Sequence, residues 1–310
     1  MVRRVKMAFA LLLFVFASLG GGTAIAKPVD AKPIDQASWS SLKKEVRLPN
    51  GVKLAYVELG NPKGEPVLLL HGYTDTSRSW SLIAPYLDDY RLLIPDQRGH
   101  GAADAPACCY SLSNFAYDAR LFLDAVGVQR AAVAGHSMGS MVAMTMAAEY
   151  PERVSKIVLI GSTALAPVKR GEWLYDQVAA LKGPLDPSSQ FMRDWDPGNQ
   201  PTPVDTEFAK AAMAEVLAVP LHVWHAVMRE LAYVPVARHA VDVNAPVLVL
   251  SGGKDPLFPA EHHASLLKVF HGAEGHVFPE LGHNPIWEQP AELGGIINRF
   301  LAAPAKQKAR

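Results

Sequence analysis

Cysteine is nearly absent from this chain. The 310 residues hold two, Cys108 and Cys109, adjacent in sequence. Neighbours cannot staple distant parts of a fold, and structural zinc sites take four ligands, so a disulfide framework and a cysteine metal centre are both excluded. Bridging neighbouring cysteines strains the backbone, so two unpaired thiols in a loop are expected. An oxidising compartment would permit a vicinal disulfide instead. Net charge is also missing: 30 basic residues balance 30 acidic ones, and no basic block stands out. Nucleic acid is therefore not an expected partner, and gross charge is not expected to steer a substrate. Beyond residue 26 no apolar run is long enough to span a membrane, so no integral membrane segment is expected there. Stability has to come from a hydrophobic core, which a chain of this length can build.

What is present begins with an apolar leader. "MVRRVKMAFALLLFVFASLGGGTAIAKP" has Arg3, Arg4 and Lys6, then an apolar stretch from Met7 to Leu19, then small residues at Ala24 and Ala26. That order is the layout of a secretory signal peptide over residues 1–26, with cleavage between Ala26 and Lys27. A retained anchor would need about 20 apolar residues, and Gly20, Gly21 and Gly22 interrupt the run. The expected location is periplasmic or secreted. Removing the leader leaves 27 basic residues against 30 acidic ones.

Residues 27–41 are polar and contain proline, and read as a flexible lead-in. "KEVRLPNGVKLAYVEL" has two strand-like runs around Asn50-Gly51, a hairpin signal. "EPVLLLHG", "YRLLIP", "RAAVAG", "KIVLIGS" and "APVLVLSGG" are short apolar runs that suit buried strands. Helical spacing recurs between them, in "SLSNFAYDARLFLDAVG" and in the terminal segment from Pro290 to Ala303. Strands alternating with helices predict an α/β fold with a mostly parallel central sheet and helices on both faces. The rhythm breaks from Thr163 to Val241, where no apolar strand run occurs. The division read from this is a core of residues 43–162 and 242–303 with a helical cap insertion, 163–241, over the strand ends, where ligands bind in such sheets.

Within the core, "VAGHSMGSMVAM" places Ser137 between Gly135 and Gly139. The pattern G-x-S-x-G arises by chance in roughly one chain in ten of this length, so context decides. The plain alternative is a glycine-rich turn without chemistry. Here a strand-like run precedes the serine and a helix-forming run rich in Ala and Met follows it. That strand–turn–helix setting is what a nucleophile elbow requires. Flanking glycines let strand and helix pass close together, and the serine itself is expected to carry backbone strain.

A serine hydroxyl is a weak nucleophile and needs a base held by a third group. Of eleven histidines, His136 adjoins the serine at a turn where neighbours point apart. His71 and His100 sit in glycine-bearing loops, together with Asp96 and Arg98, and are expected to fix those loops. His283, in "ELGHNPIWEQP", follows the last strand-like run and precedes a helix, where a loop can reach back to the serine. Asp255, in "VLVLSGGKDP", ends another strand, and Gly252 and Gly253 allow an immediate turn. The chain order is then Ser137, Asp255, His283.

In order, "LLLHGYTDTSRSW", "PDQRGHG", "GHSMGS", "SGGKDP" and "LGHNPIWEQP" resemble the oxyanion loop, post-strand loop, elbow, acid loop and histidine loop of the α/β-hydrolase superfamily. The resemblance covers residues 43–303 and is to its esterase, lactonase and non-metal peroxidase branch. A serine at position 137 differs from the dehalogenase and epoxide-hydrolase branches, which carry aspartate there. The oxyanion donors are expected to be the backbone N–H of Met138, at the helix start, and, by resemblance, that of Tyr73.

The expected activity is hydrolysis of a small apolar carboxylic ester or lactone through an acyl-enzyme, needing no cofactor and no metal. Two other readings stand beside it: a carbon–carbon bond hydrolase or cofactor-free perhydrolase on the same fold, and a ligand-binding receptor that retains the triad. Tyr73, Trp195, Trp224 and Met228 are the expected substrate-lining side chains. For most aromatics of the insertion, simple packing of the cap onto the core is the commoner role.

Overall fold

Short, nearly continuous apolar strands build the centre of the molecule. The computed structural model describes residues 31–304; the leader and the last six residues lie outside it. A hairpin opens the fold, with β1 (Lys44–Arg47) antiparallel to β2 (Lys53–Gly60). Gly51 turns it at φ +89°, a conformation that glycine adopts without strain. Next come β3 (Pro66–Leu70) and β4 (Arg91–Pro95), then α1 (Leu112–Ala125), β5 (Ala131–His136), α2 (Met138–Glu149) and β6 (Val154–Ile160). Five helices follow: α3 (Trp173–Ala180), α4 (Gln190–Asp194), α5 (Thr206–Ala218), α6 (Leu221–Tyr233) and α7 (Val236–Val241). The core resumes with β7 (Val247–Gly252), α8 (Ala260–Val269), β8 (Glu274–Phe278), α9 (Pro285–Glu288) and α10 (Pro290–Ala302).

The eight strands form one sheet in the order β1-β2-β4-β3-β5-β6-β7-β8. From β4 to β8 all pairings are parallel; only β1 and β2 run against their neighbours. Period-two alternation divides the core in two. Leu68, Leu70, Val133, Ile157, Leu159 and Val249 face α1, α2 and the inserted helices. Leu69, Ala132, Ala134, Val158, Ile160 and Leu250 face α10 and the Trp39 side. Helix α2 is buried over Met138–Ala147, which matches its lack of any polar face. Among the described residues no single helix is long and apolar enough to cross a membrane.

Two expectations fail. Residues 36–42 are not a loose lead-in but a 3₁₀ helix, Gln36–Leu42, with Trp39 fully buried. The Trp39 indole donates to Ser77 Oγ at 3.2 Å, and Arg78 donates to the Gln36 carbonyl at 2.7 Å. Burying an indole against the core outweighs the polar character of its neighbours. Cys108 and Cys109 are not free thiols; they are joined as a vicinal disulfide on an exposed loop. Cys109 lies at φ +75°, in the left-handed region that non-glycine residues seldom adopt.

Candidate active site

Ser137 sits at the only residue between β5 and α2. Its φ is +51°, and its N–H donates to the Ile160 carbonyl of β6 at 2.8 Å. A non-glycine residue held there carries roughly 1–3 kcal/mol of strain. The flanking glycines explain how strand and helix fit. A Cβ on Gly135 would overlap the Gly139 carbonyl and come within 2.5 Å of Ser140 N; one on Gly139 would overlap Leu70 O and lie 2.5 Å from His71 O. Strand β3 therefore passes directly beneath the turn.

The expected base and acid converge on this serine. His283, in the loop after β8, places Nε2 2.9 Å from Ser137 Oγ. Its Nδ1 is 2.8 Å from Asp255 Oδ2. The other carboxylate oxygen of Asp255 accepts N–H bonds from Leu257 at 2.8 Å and Phe258 at 2.9 Å. The Phe258 ring meets the His283 ring edge-on, 5.2 Å between centroids. Behind the histidine, Glu288 accepts from Gly282 N at 2.8 Å and from Thr202 Oγ1 at 2.8 Å, which fixes the loop. Burial disfavours charge on both Asp255 and His283, but their mutual attraction and hydrogen bond prevail. The aspartate is held below its ordinary range and the histidine above its own.

The oxyanion-side loop is equally close. A Cβ on Gly72 would lie 3.2 Å from Ser137 Cβ, so the backbone leading into Tyr73 runs beside the nucleophile. Met138 opens α2, where N–H groups have no partner in the preceding turn. Both expected donors thus border the serine. The loop-fixing residues hold their loops as anticipated. His71 Nε2 accepts from Gln97 N at 2.9 Å, Arg98 pairs with Asp118 at 2.6 Å, and Asp96 accepts from Lys43 at 2.6 Å and Ser77 N at 2.8 Å. His100 is fully enclosed, and burial pulls it down to about 3, so it stays neutral.

The alpha/beta hydrolase fold family matches residues 65–290. This chain belongs to it. The hydrolase is 28% identical to a 2-hydroxy-6-oxo-6-phenylhexa-2,4-dienoate hydrolase of Burkholderia cepacia over 260 residues, 77% of this chain and 88% of that one. It is 27% identical to Lipase 1 of Psychrobacter immobilis over 271 residues, 83% of each chain. Among solved structures, a hydrolase from Pseudomonas aeruginosa superposes with a TM-score of 0.75 at 24% identity, covering 84% of this chain and 98% of that one.

The hydrolase has a cleft of about 600 Å³ over Ser137 and His283, roofed by inserted helices. Tyr73, Met141, Val168, Trp195, Val216 and Met228 give it an apolar wall. Trp195 also ties the insertion to the oxyanion loop, donating to Thr74 Oγ1 at 2.9 Å. Glu215 of α5 adds a second tie, to Thr76 Oγ1 at 2.5 Å and Arg78 Nε at 3.0 Å. Trp224 does not line the cleft. It is fully buried behind Tyr73, whose hydroxyl donates to the Trp224 carbonyl at 2.8 Å. Helix α6 buries Val223, Trp224, Val227, Met228 and Leu231, and only the last part of that stripe reaches the opening. The polar part of the lining was not foreseen. It carries Asp75, Asp194, Asp196, Asn199, Gln200 and Asn284. One signal for it was present in the sequence, an acid two residues beyond Tyr73 in the same loop.

Proposed function

We propose that this hydrolase cleaves carboxylic esters or lactones through an acyl-enzyme, with Ser137 as nucleophile, His283 as general base and acid, and Asp255 as the group that holds the imidazole. The continuous hydrogen-bonded path from Asp255 through His283 to Ser137 Oγ carries this reading. Asp255 accepts from Nδ1, so the lone pair of Nε2 faces the hydroxyl and can take its proton. The attacked carbonyl oxygen gains negative charge, which the N–H groups of Tyr73 and Met138 would stabilise. His283 then returns the proton to the departing alcohol, and a water activated by the same nitrogen releases the acid. The insertion serves as a cap whose apolar wall, with Trp195 and Met228, selects the acyl part.

The dienoate hydrolase relative favours one other reading, carbon–carbon bond cleavage. A dienoate brings a carboxylate, which needs a cation. Among the described residues the cleft lining has one lysine or arginine, Lys254, and it is 2.5 Å from Glu280. The remaining charged groups of the lining are carboxylates, so the ester reading is preferred. The test is labelling by a fluorophosphonate together with hydrolysis of p-nitrophenyl butyrate. Both should vanish in Ser137→Ala. Retained turnover in that variant would remove the serine mechanism. Secretion follows from residues 1–26 as a proposal of its own. A mature chain that begins at Lys27 in the periplasm or medium would support it, and a cytoplasmic chain that keeps Met1 would refute it.

A further inference from the structure

The loop beside the nucleophile is held at several points by the inserted helices. The Tyr73 hydroxyl donates to the Trp224 carbonyl of α6 at 2.8 Å, and the Trp195 indole donates to Thr74 Oγ1 at 2.9 Å. Glu215, on α5, holds two more residues of the loop. Its Oε2 accepts from Thr76 Oγ1 at 2.5 Å, and its Oε1 accepts from Arg78 Nε at 3.0 Å and lies 2.9 Å from Nη2. The Arg78 side chain is 5% exposed and that of Glu215 19%. On its other side Arg78 donates to the Gln36 carbonyl at 2.7 Å. An ion pair this enclosed adds little net stability, because desolvation offsets the attraction; what it can fix is geometry.

The geometry at stake is that of one turn. Residues 72–75 form it, with Tyr73 and Thr74 at its centre and the Asp75 N–H donating to the Gly72 carbonyl at 3.3 Å. Thr74 is fully buried and lies at φ +65°, where a β-branched residue seldom stands. Such a conformation persists only where its surroundings over-determine it. At the entry, a Cβ on Gly72 would lie 3.2 Å from Ser137 Cβ, so the chain has no room to shift. At the exit stands Thr76. Its Oγ1 accepts from Arg78 N at 3.1 Å and caps the short 3₁₀ helix Ser77–Trp80. The Ser77 N–H donates to Asp96 at 2.8 Å, which ties that helix to the core. Glu215 thus grips both the residue that leaves the turn and the arginine behind it. The Tyr73 N–H lies between the two fixed ends.

We propose that Glu215 is a positioning residue for the oxyanion hole: through Thr76 and Arg78 it holds the turn so that the Tyr73 N–H faces the reacting carbonyl, and it thereby couples the seating of the insertion to catalysis. The proposal rests on the ester reading. Glu215 lies outside the cleft lining, so it acts through the loop and not on the substrate.

Glu215→Gln keeps shape and removes charge, and Thr76→Val removes only the hydroxyl. On p-nitrophenyl butyrate each should lower kcat by about 5–50-fold, less than the ~10²–10³ lost with a whole oxyanion donor, and leave KM within about twofold. Thr76→Ser should recover most of the loss. Two ketones give the decisive readout. Ser137 Oγ adds to the carbonyl carbon of trifluoromethyl butyl ketone, its proton passes to His283, and the ketone oxygen becomes the anion in the hole. Methyl butyl ketone fills the same space without forming that anion. Both variants should weaken the trifluoromethyl ketone by the factor lost in kcat and leave the methyl ketone unchanged. A structural role would lower denaturant stability, or weaken both ketones alike, and either result without a change in their ratio would overturn the proposal. So would a folded Glu215→Gln enzyme with wild-type kcat. If Glu215→Gln does not fold, Thr76→Val decides; if neither folds, the tie is structural and the proposal is overturned. If wild-type Ser137 forms no fluorophosphonate adduct and cleaves no ester, the ester reading itself has failed and this proposal falls with it.

Discussion

Asp255→Asn tests the proposed mechanism at its least visible member. The substitution keeps shape and removes charge. Asp255 Oδ1 accepts two backbone N–H groups, from Leu257 and Phe258, and only an oxygen can remain there without loss. The asparagine nitrogen must then take the Oδ2 position, 2.8 Å from His283 Nδ1. A donor at that place turns Nδ1 into the acceptor and moves the ring proton to Nε2. The nitrogen facing Ser137 Oγ at 2.9 Å can then no longer accept its proton. The wrong tautomer lowers kcat by up to ~10⁴. The escape is to flip the amide and leave two buried N–H groups unpaired, at ~1–3 kcal/mol each. Together that is roughly 30-fold to 3×10⁴-fold, so with the tautomer limit the expected loss lies between ~30-fold and ~10⁴-fold. Initial rates on p-nitrophenyl butyrate measure it, with circular dichroism to verify the fold. Fluorophosphonate labelling of Ser137 should slow in parallel. A folded Asp255→Asn enzyme within threefold of wild type would show that some other group orients His283.

Four further outcomes follow from the same geometry. The base must be neutral to act, and Asp255 outweighs burial to hold His283 above its ordinary 6.5, so kcat/KM should fall with acid through a midpoint above that value; a flat profile down to pH 4 would contradict a histidine base. Gly139→Ala drives a methyl group into the Leu70 carbonyl and should abolish soluble, labelled enzyme, whereas full labelling would show that strand and helix can separate. Trp195→Ala and Met228→Ala should shift acyl-chain preference by ~1–3 kcal/mol while labelling survives, but Trp224→Ala should cost about 3–5 kcal/mol in denaturant stability because it empties the core behind Tyr73. Intact-mass analysis without reductant should find Cys108 and Cys109 closed to alkylation and the chain two hydrogens lighter than after reduction; two alkylated thiols would disprove the bridge.

The sequence by itself determined whatever depends on local punctuation. Gly135 and Gly139 around Ser137, the glycines after the Asp255 strand and the loop carrying His283 each mark a strand end. Parallel strands with short connections place successive strand ends at one edge of a sheet. The chain order of acid and base was legible for that reason, and so was a mostly parallel sheet with helices on both faces. Tertiary structure alone decided the rest, because it depends on residues that meet across long stretches of chain. Trp39 docks on Ser77 and turns an apparently loose lead-in into a helix. Trp195 and Trp224 are both tryptophans of the insertion, yet one faces the cleft and the other is buried against Tyr73; they stand at the end of α4 and within α6, and no local signal reports which of the two reaches the opening. His136 was set aside because neighbours at a turn point apart. They do, and that divergence is what carries its ring past Ser137 to the His283 carbonyl on one side and Asp75 on the other. That meeting cannot be read from spacing, since His136 and Asp75 are 61 positions apart and come within 3.6 Å only when the fold stacks their loops.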